Sequence, residues 1–94
     1  MAEAGDRGAR IEAALRERLR ALHVEVIDES HLHAGHAGAA CGGGHFRALV
    51  VSEAFEGRSP LERQRLVYGA LASEMGALIH ALSMRTFTPA EWGR

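Results

Sequence analysis

Ile11, Leu15, Leu19 and Leu22 recur at spacings of 4, 4 and 3 among arginines and glutamates, which predicts an amphipathic helix from Asp6 to Leu22 with one buried stripe. The texture changes at His23. Val24, Val26 and Ile27 are β-branched and alternate with His23 and Glu25, so a short strand is expected over His23 to Asp28. Strand character resumes over His45 to Glu53, with Phe46, Leu49, Val50 and Val51. Between the two strands, His31 to Gly44 has neither helical nor strand periodicity and holds Gly35, Gly38, Gly42, Gly43 and Gly44. This pattern predicts a long mobile loop joining an antiparallel pair.

Ser59-Pro60-Leu61-Glu62 has the grammar of a helix start: a capping hydroxyl, proline at the first helical position and a glutamate to return the capping bond. Val67, Leu71, Met75 and Leu78 follow at spacings of 4, 4 and 3, so the helix is expected to run from Pro60 toward Met75 and to break near Gly76. A third strand is expected from Ala81 to Thr86, with Leu82 and Met84 on one face and Ser83 and Arg85 on the other. Thr88-Pro89-Ala90-Glu91 repeats the helix-start grammar for a short final turn carrying Trp92. The resulting class is α+β: a three-stranded mixed sheet with helices packed on one face and a short C-terminal helix. That αββαβ order is the arrangement of the type II KH-like fold, and a parallel last strand would be reached by a right-handed crossover through the second helix.

At 94 residues and 10.1 kDa, the chain is expected to be a single domain over 1–94, with residues 1–6 as a flexible N-terminus. A net charge of −1 and a sequence pI of 6.6 exclude a strongly basic, nonspecific nucleic-acid binder. All basic residues are arginine, which removes lysine Schiff-base chemistry. A single cysteine fits a reducing compartment. No apolar run approaches a membrane span and the N-terminus lacks a secretory h-region, so a cytoplasmic protein without membrane contact is expected.

The densest chemistry is His31, His33, His36, Cys41 and His45, with His80 far along the chain. Imidazole and thiolate ligate zinc, iron and iron–sulfur centres, yet this spacing matches no closed motif, so the set would need ligands from another protein. Cys41 among glycines lacks the positioned base and oxyanion hole of a catalytic nucleophile, and no enzyme activity is expected. His80, between Leu78-Ile79 and Ala81-Leu82, reads on local pattern more readily as a packed core histidine than as a ligand. Arg58, Arg63 and Arg65 gather at the start of the second helix, where a phosphate could dock, although such runs are usually solvated helix faces. The Gly-x-x-Gly matches at Gly5 and Gly35 lie before the first helix and between strands, where they cannot act as a KH clamp.

Several strings taken together resemble the BolA family: Val26-Ile27-Asp28-Glu29-Ser30, His33-Ala34-Gly35-His36, Gly44-His45-Phe46-Arg47, Val51-Ser52-Glu53-Ala54-Phe55-Glu56-Gly57, Arg63-Gln64-Arg65-Leu66-Val67-Tyr68, Ile79-His80-Ala81-Leu82 and Thr88-Pro89-Ala90-Glu91-Trp92. The resemblance implies an accessory protein that pairs with a monothiol glutaredoxin and shares a [2Fe-2S] cluster with it, acting in iron–sulfur and iron homeostasis and redox regulation. It implies that His80 is one cluster ligand and that the second comes from the loop, where His33 matches the histidine-type and Cys41 the cysteine-type members; His36 and His45 stay open. The partner's cysteine and glutathione would supply the rest, with no cluster in the isolated protein, which would be a monomer or weak homodimer. Bacterial members are also associated with transcriptional control of cell morphology and stress responses, an alternative DNA-binding role that matches Arg58, Arg63 and Arg65 loosely. Gln64 stands where many members carry histidine.

Overall fold

The computed structural model describes residues 4–29, 44–76 and 78–93. The elements in order are α1 (Ala4–Arg18), β1 (His23–Asp28), β2 (Gly44–Val51), a 3-10 turn (Glu53–Phe55), α2 (Pro60–Ala70), β3 (Ile79–Phe87) and α3 (Pro89–Trp92). The sheet order is β1-β2-β3, with β1 antiparallel and β3 parallel to β2. The α+β class and the mixed three-stranded sheet are therefore as expected. The predicted loop from His31 to Gly44 lies outside the described residues, apart from Gly44, which opens β2.

Even-numbered strand residues face the helices. Val24, Val50 and Thr86 form one cross-strand row, and Val26, Ala48 and Met84 the next. Onto this face α1 lays Ile11, Leu15 and Leu19, and α2 lays Val67, with Phe46 and Phe55 among the largest buried side chains. Odd-numbered residues form the opposite face, in the rows His23, Val51, Phe87 and then Glu25, Leu49, Arg85. Trp92 stacks on His23 at 5.1 Å and tilts against Phe87 at 5.5 Å. Val51, between His23 and Phe87 in the same row, is only 1% exposed although it lies on the open face.

Several boundaries differ from the pattern-based ones, and local conformation or long-range contacts account for the ends of α1, β2 and α2. Helix α1 stops at Arg18, not Leu22, because Arg20 takes a left-handed conformation (φ 52°), which ends helical bonding. Leu22 thus leaves the stripe: it is 60% exposed, and its N–H donates to Val51 O at 2.8 Å. Strand β2 ends at Val51 rather than Glu53. Ser52 Oγ accepts from Ala54 N at 3.0 Å to cap the 3-10 turn, and donates to Leu19 O at 2.6 Å.

Helix α2 starts as predicted, with both capping-box bonds formed between Ser59 and Glu62, but ends at Ala70 rather than near Met75. Its C-terminal carbonyl, Ala70 O, accepts from Arg18 NH1 at 2.6 Å, and the same nitrogen lies 3.2 Å from Oε1 of the buried Glu74. A side chain of α1 therefore satisfies the end of α2. Gly76 serves instead as a turn residue at φ 86°, donating its N–H to Ile79 O and turning the chain into β3. The third strand is longer than predicted, extending from Ile79 to Phe87.

These burials predict unequal alanine penalties along the apparent stripe. Leu15→Ala, at a fully buried position, is expected to cost about 2–5 kcal/mol, and Leu22→Ala under about 0.5 kcal/mol. Urea denaturation of the two variants measures the difference; equal losses would place Leu22 in the core after all.

Candidate functional site

One end of the sheet, where β1 finishes and β2 and β3 begin, gathers two of the six candidate ligands. His45 is the second residue of β2 and His80 the second of β3. Register passes from the pair Gly44 and Ile79 to the pair His45 and Ala81, so His80 is an extra residue with nothing opposite it. A bulge of this kind re-aims a side chain. Ile79 before it is buried, whereas His80 is exposed, so the packed-core reading of His80 does not hold. The two imidazoles lie with ring centroids 5.3 Å apart, inclined at 46°.

The backbone around them is fixed by bonds. Gly44 N–H donates to Leu78 O at 2.9 Å across the β2–β3 start, and Glu29 N–H donates to His45 O at 2.8 Å across the β1–β2 end. Glu29 also pairs with Arg47 at 3.1 Å. Two adjacent imidazoles on such a frame are two donors toward a soft or borderline metal centre. Among the described residues no three histidine, cysteine or acidic side chains converge as a metal-holding group. His31, His33, His36 and Cys41 lie outside the described residues, but the segment that carries them joins Glu29 to Gly44 at this same end of the sheet.

The arginines at α2 are divided in role. Arg63 is turned inward: its side chain is 14% exposed, Nε donates to Arg58 O at 3.0 Å, and its two terminal nitrogens grip both oxygens of Glu91 at 2.8 and 3.3 Å. Glu91 Oε1 accepts Thr88 N–H at 2.8 Å as well, so one carboxylate closes the α3 capping box and ties α3 to α2. Hydrogen bonding from Arg63, and then from the Thr88 backbone, lowers the Glu91 pKa from 4.5 to about 2. Arg58 and Arg65 are exposed and form no ion pair among the described residues. The sequence signal for Arg63's partner was present, since Glu91 is the expected capping glutamate, but its pairing with α2 needs the folded chain.

A small α+β domain of αββαβ order, with an exposed and a half-buried imidazole side by side at a bulged sheet end, is the class that these features define. The family model for "BolA-like protein" matches residues 15–91, and the chain belongs to that family. It is 48% identical over 83 residues to the human BolA-like protein 1, covering 87% of this chain and 61% of the human protein, so it spans under two thirds of that relative's length. The Escherichia coli DNA-binding transcriptional regulator BolA is 40% identical over 83 residues, covering 88% of this chain and 76% of that protein. Among solved structures, the BolA domain of SufE1 from Arabidopsis thaliana superposes with a TM-score of 0.79 at 43% identity, covering 93% of this chain and 96% of that one. Mouse BolA1 follows at 0.77 and 44%, covering 99% and 73%.

The lowered Glu91 pKa has a pH consequence with a definite sign. A depressed carboxylate stabilises the fold above its unfolded value near 4.5, and that contribution fades as pH falls toward 2. Glu91→Gln is therefore expected to lower the melting temperature by a few degrees at pH 6 and by much less at pH 2.5. Thermal melts at both values check this, and an equal difference at the two would remove the ionised Arg63–Glu91 pair as the cause.

Proposed function

We propose that this chain is a non-catalytic accessory protein that binds a monothiol glutaredoxin and shares a [2Fe-2S] cluster with it, in iron–sulfur and iron homeostasis and redox regulation. The observation that carries the reading is the side-by-side placement of His45 and His80, with centroids 5.3 Å apart, beside the two anchor points of the segment holding His33, His36 and Cys41. An exposed His80 beside a half-buried His45, too few donors to complete a site among the described residues, suits a shared centre. His80 would hold the cluster from this chain together with one further donor, and the partner's cysteine and glutathione would complete it. A bound cluster supplies one-electron redox chemistry and a transferable iron–sulfur unit. The bonds at Gly44, Leu78, Glu29 and His45 fix the backbone that carries the two histidines, which reduces the ordering cost of ligation. One cysteine in 94 residues suits the reducing, cytoplasmic setting this role requires.

The test is anaerobic reconstitution with a monothiol glutaredoxin and glutathione, read by visible circular dichroism and size-exclusion mass. A heterodimer with a spectrum unlike that of the glutaredoxin alone is expected. His80→Ala should abolish that spectrum, and substituting His33, His36, Cys41 and His45 singly should identify the second ligand. An unchanged spectrum for His80→Ala would sink the assignment.

A second reading is favoured by the E. coli relative, a DNA-binding transcriptional regulator, and by the exposed Arg58 and Arg65 at the start of α2, which form no ion pair among the described residues. If DNA docks there, Arg65→Ala should reduce the log–log salt slope of binding by about 0.9. Arg63→Ala should instead act mainly through stability, because its guanidinium is committed to Glu91. DNA affinity that is absent at low salt, or untouched by Arg65→Ala, ends this reading.

A further inference from the structure

Helix α3 is fastened to the rest of the chain at two places whose chemistry differs. Glu91 is gripped by both terminal nitrogens of Arg63 and accepts the Thr88 N–H, and these bonds hold its carboxyl at a pKa of about 2, so this fastening stays charged throughout the neutral range. Trp92, the next residue, is held by rings instead. Its indole lies on His23 of β1 with planes inclined by only 20°, and it tilts against Phe87 of β3. This stack spans the open face at the end of the sheet away from His45 and His80.

The His23 ring is held from its edge as well, because Nε2 lies 2.8 Å from Glu25 Oε2. An ionised carboxylate can only accept, so Nε2 carries the hydrogen in the neutral ring and Nδ1 is where a further proton adds. Adding it leaves the Glu25 bond in place and makes it charge-assisted on both sides. The same step puts a cation against the indole face, an attraction that the neutral ring lacks. Both changes favour the stacked arrangement, and an imidazole ordinarily takes up its proton near pH 6.5.

The surrounding charges leave that preference standing. Among the described residues, β2 contributes Leu49 and Val51 to this part of the face, both uncharged. Strand β3 contributes Phe87 and Arg85; the Arg85 guanidinium is a like charge, but it sits over the Phe87 ring, and Arg85 shares a cross-strand row with Glu25. Helix α3 contributes Glu91, already compensated by Arg63. Arg20 before β1 and Glu53 after β2 are exposed and opposite in sign. Helices α1 and α2 pack on the other face.

We propose that His23, Glu25 and Trp92 form a pH-sensitive latch on α3. With His23 protonated, the indole is clamped to the sheet. With His23 neutral, the indole swings away about its side-chain bonds, while Glu91 keeps the helix tied to α2. The result is a clasp with one permanent fastening and one that opens as pH rises through the neutral range, presenting an aromatic side chain at the surface. The latch stands independently of the cluster reading.

Trp92 is the only tryptophan, so indole emission reports on it alone. A protonated imidazole quenches an indole it touches by accepting an electron from the excited ring. Emission of the unmodified chain is expected to be at least twofold weaker at about pH 5.5 than at about pH 8, and to be independent of pH in His23→Gln. Quenching shows the contact, and the coupling between the rings shows the latch. A double-mutant cycle of His23→Gln and Trp92→Leu, followed by urea unfolding, should give a coupling about two- to fivefold larger in the unfolding equilibrium at the lower pH. Glu25→Gln, at an exposed position, keeps an acceptor beside Nε2 without its charge, and should shrink both pH differences even if His23→Gln does not fold. Emission indifferent to pH in the unmodified chain, equal titration in His23→Gln, a coupling that is the same at the two pH values, or undiminished differences in Glu25→Gln overturns the proposal.

Discussion

Strand β2 bonds on both sides, antiparallel to β1 and parallel to β3, and the parallel pairing imposes the rest of the architecture. Parallel neighbours cannot be joined by a tight turn, so the chain must leave β2, cross a face of the sheet and return. Helix α2 is that crossover, and α1 shares the same face. The core side chains contributed by the strands are therefore even-numbered, except Ile79, which precedes the bulge in β3, while on the odd-numbered face Trp92 packs against His23 and Phe87. The same pairing starts β2 and β3 at one end of the sheet. His45 and His80, 35 positions apart in sequence, become neighbours because each follows the first residue of a strand in a parallel pair.

Local chemistry made much of the fold legible. The β-branched alternation delimited β1 at its observed ends, and the Ser59 and Thr88 capping boxes marked the starts of α2 and α3 to the residue. The ends were harder to read because they are set by contacts between distant residues. Arg18 completes the C-terminus of α2 from 52 positions away, and Ser52 bonds Leu19 across 33 positions. No periodicity within either helix carries that information. Arg20 is a different case: its left-handed backbone is unusual for a residue other than glycine, and no sequence signal announced it.

The candidate site was legible as a list of residue types and not as an arrangement. Spacing alone left His80 between a packed core histidine and a ligand, because Ile79-His80-Ala81-Leu82 looks uniformly buried. The bulge resolves this by shifting the alternation of β3 at one residue, so that Ile79 stays inside while His80 is exposed. The arginine cluster shows the reverse. Three residues that look alike in sequence are divided by the fold into one committed to the α2–α3 tie and two left at the surface.

Charge on the open face of the sheet is largely settled within that face. His23 Nε2 lies 2.8 Å from Glu25, Arg47 pairs with Glu29 at 3.1 Å, and the Arg85 guanidinium sits 5.2 Å from the Phe87 ring centroid. Exposed pairs of this kind contribute little stability, but they leave few uncompensated charges to attract a partner. Ile27 and Leu49 are apolar but interleaved with these pairs, so they form no broad greasy patch. Among the described residues, the outward N–H and C=O groups of Leu82, Met84 and Thr86 on the β3 edge pair with no other element.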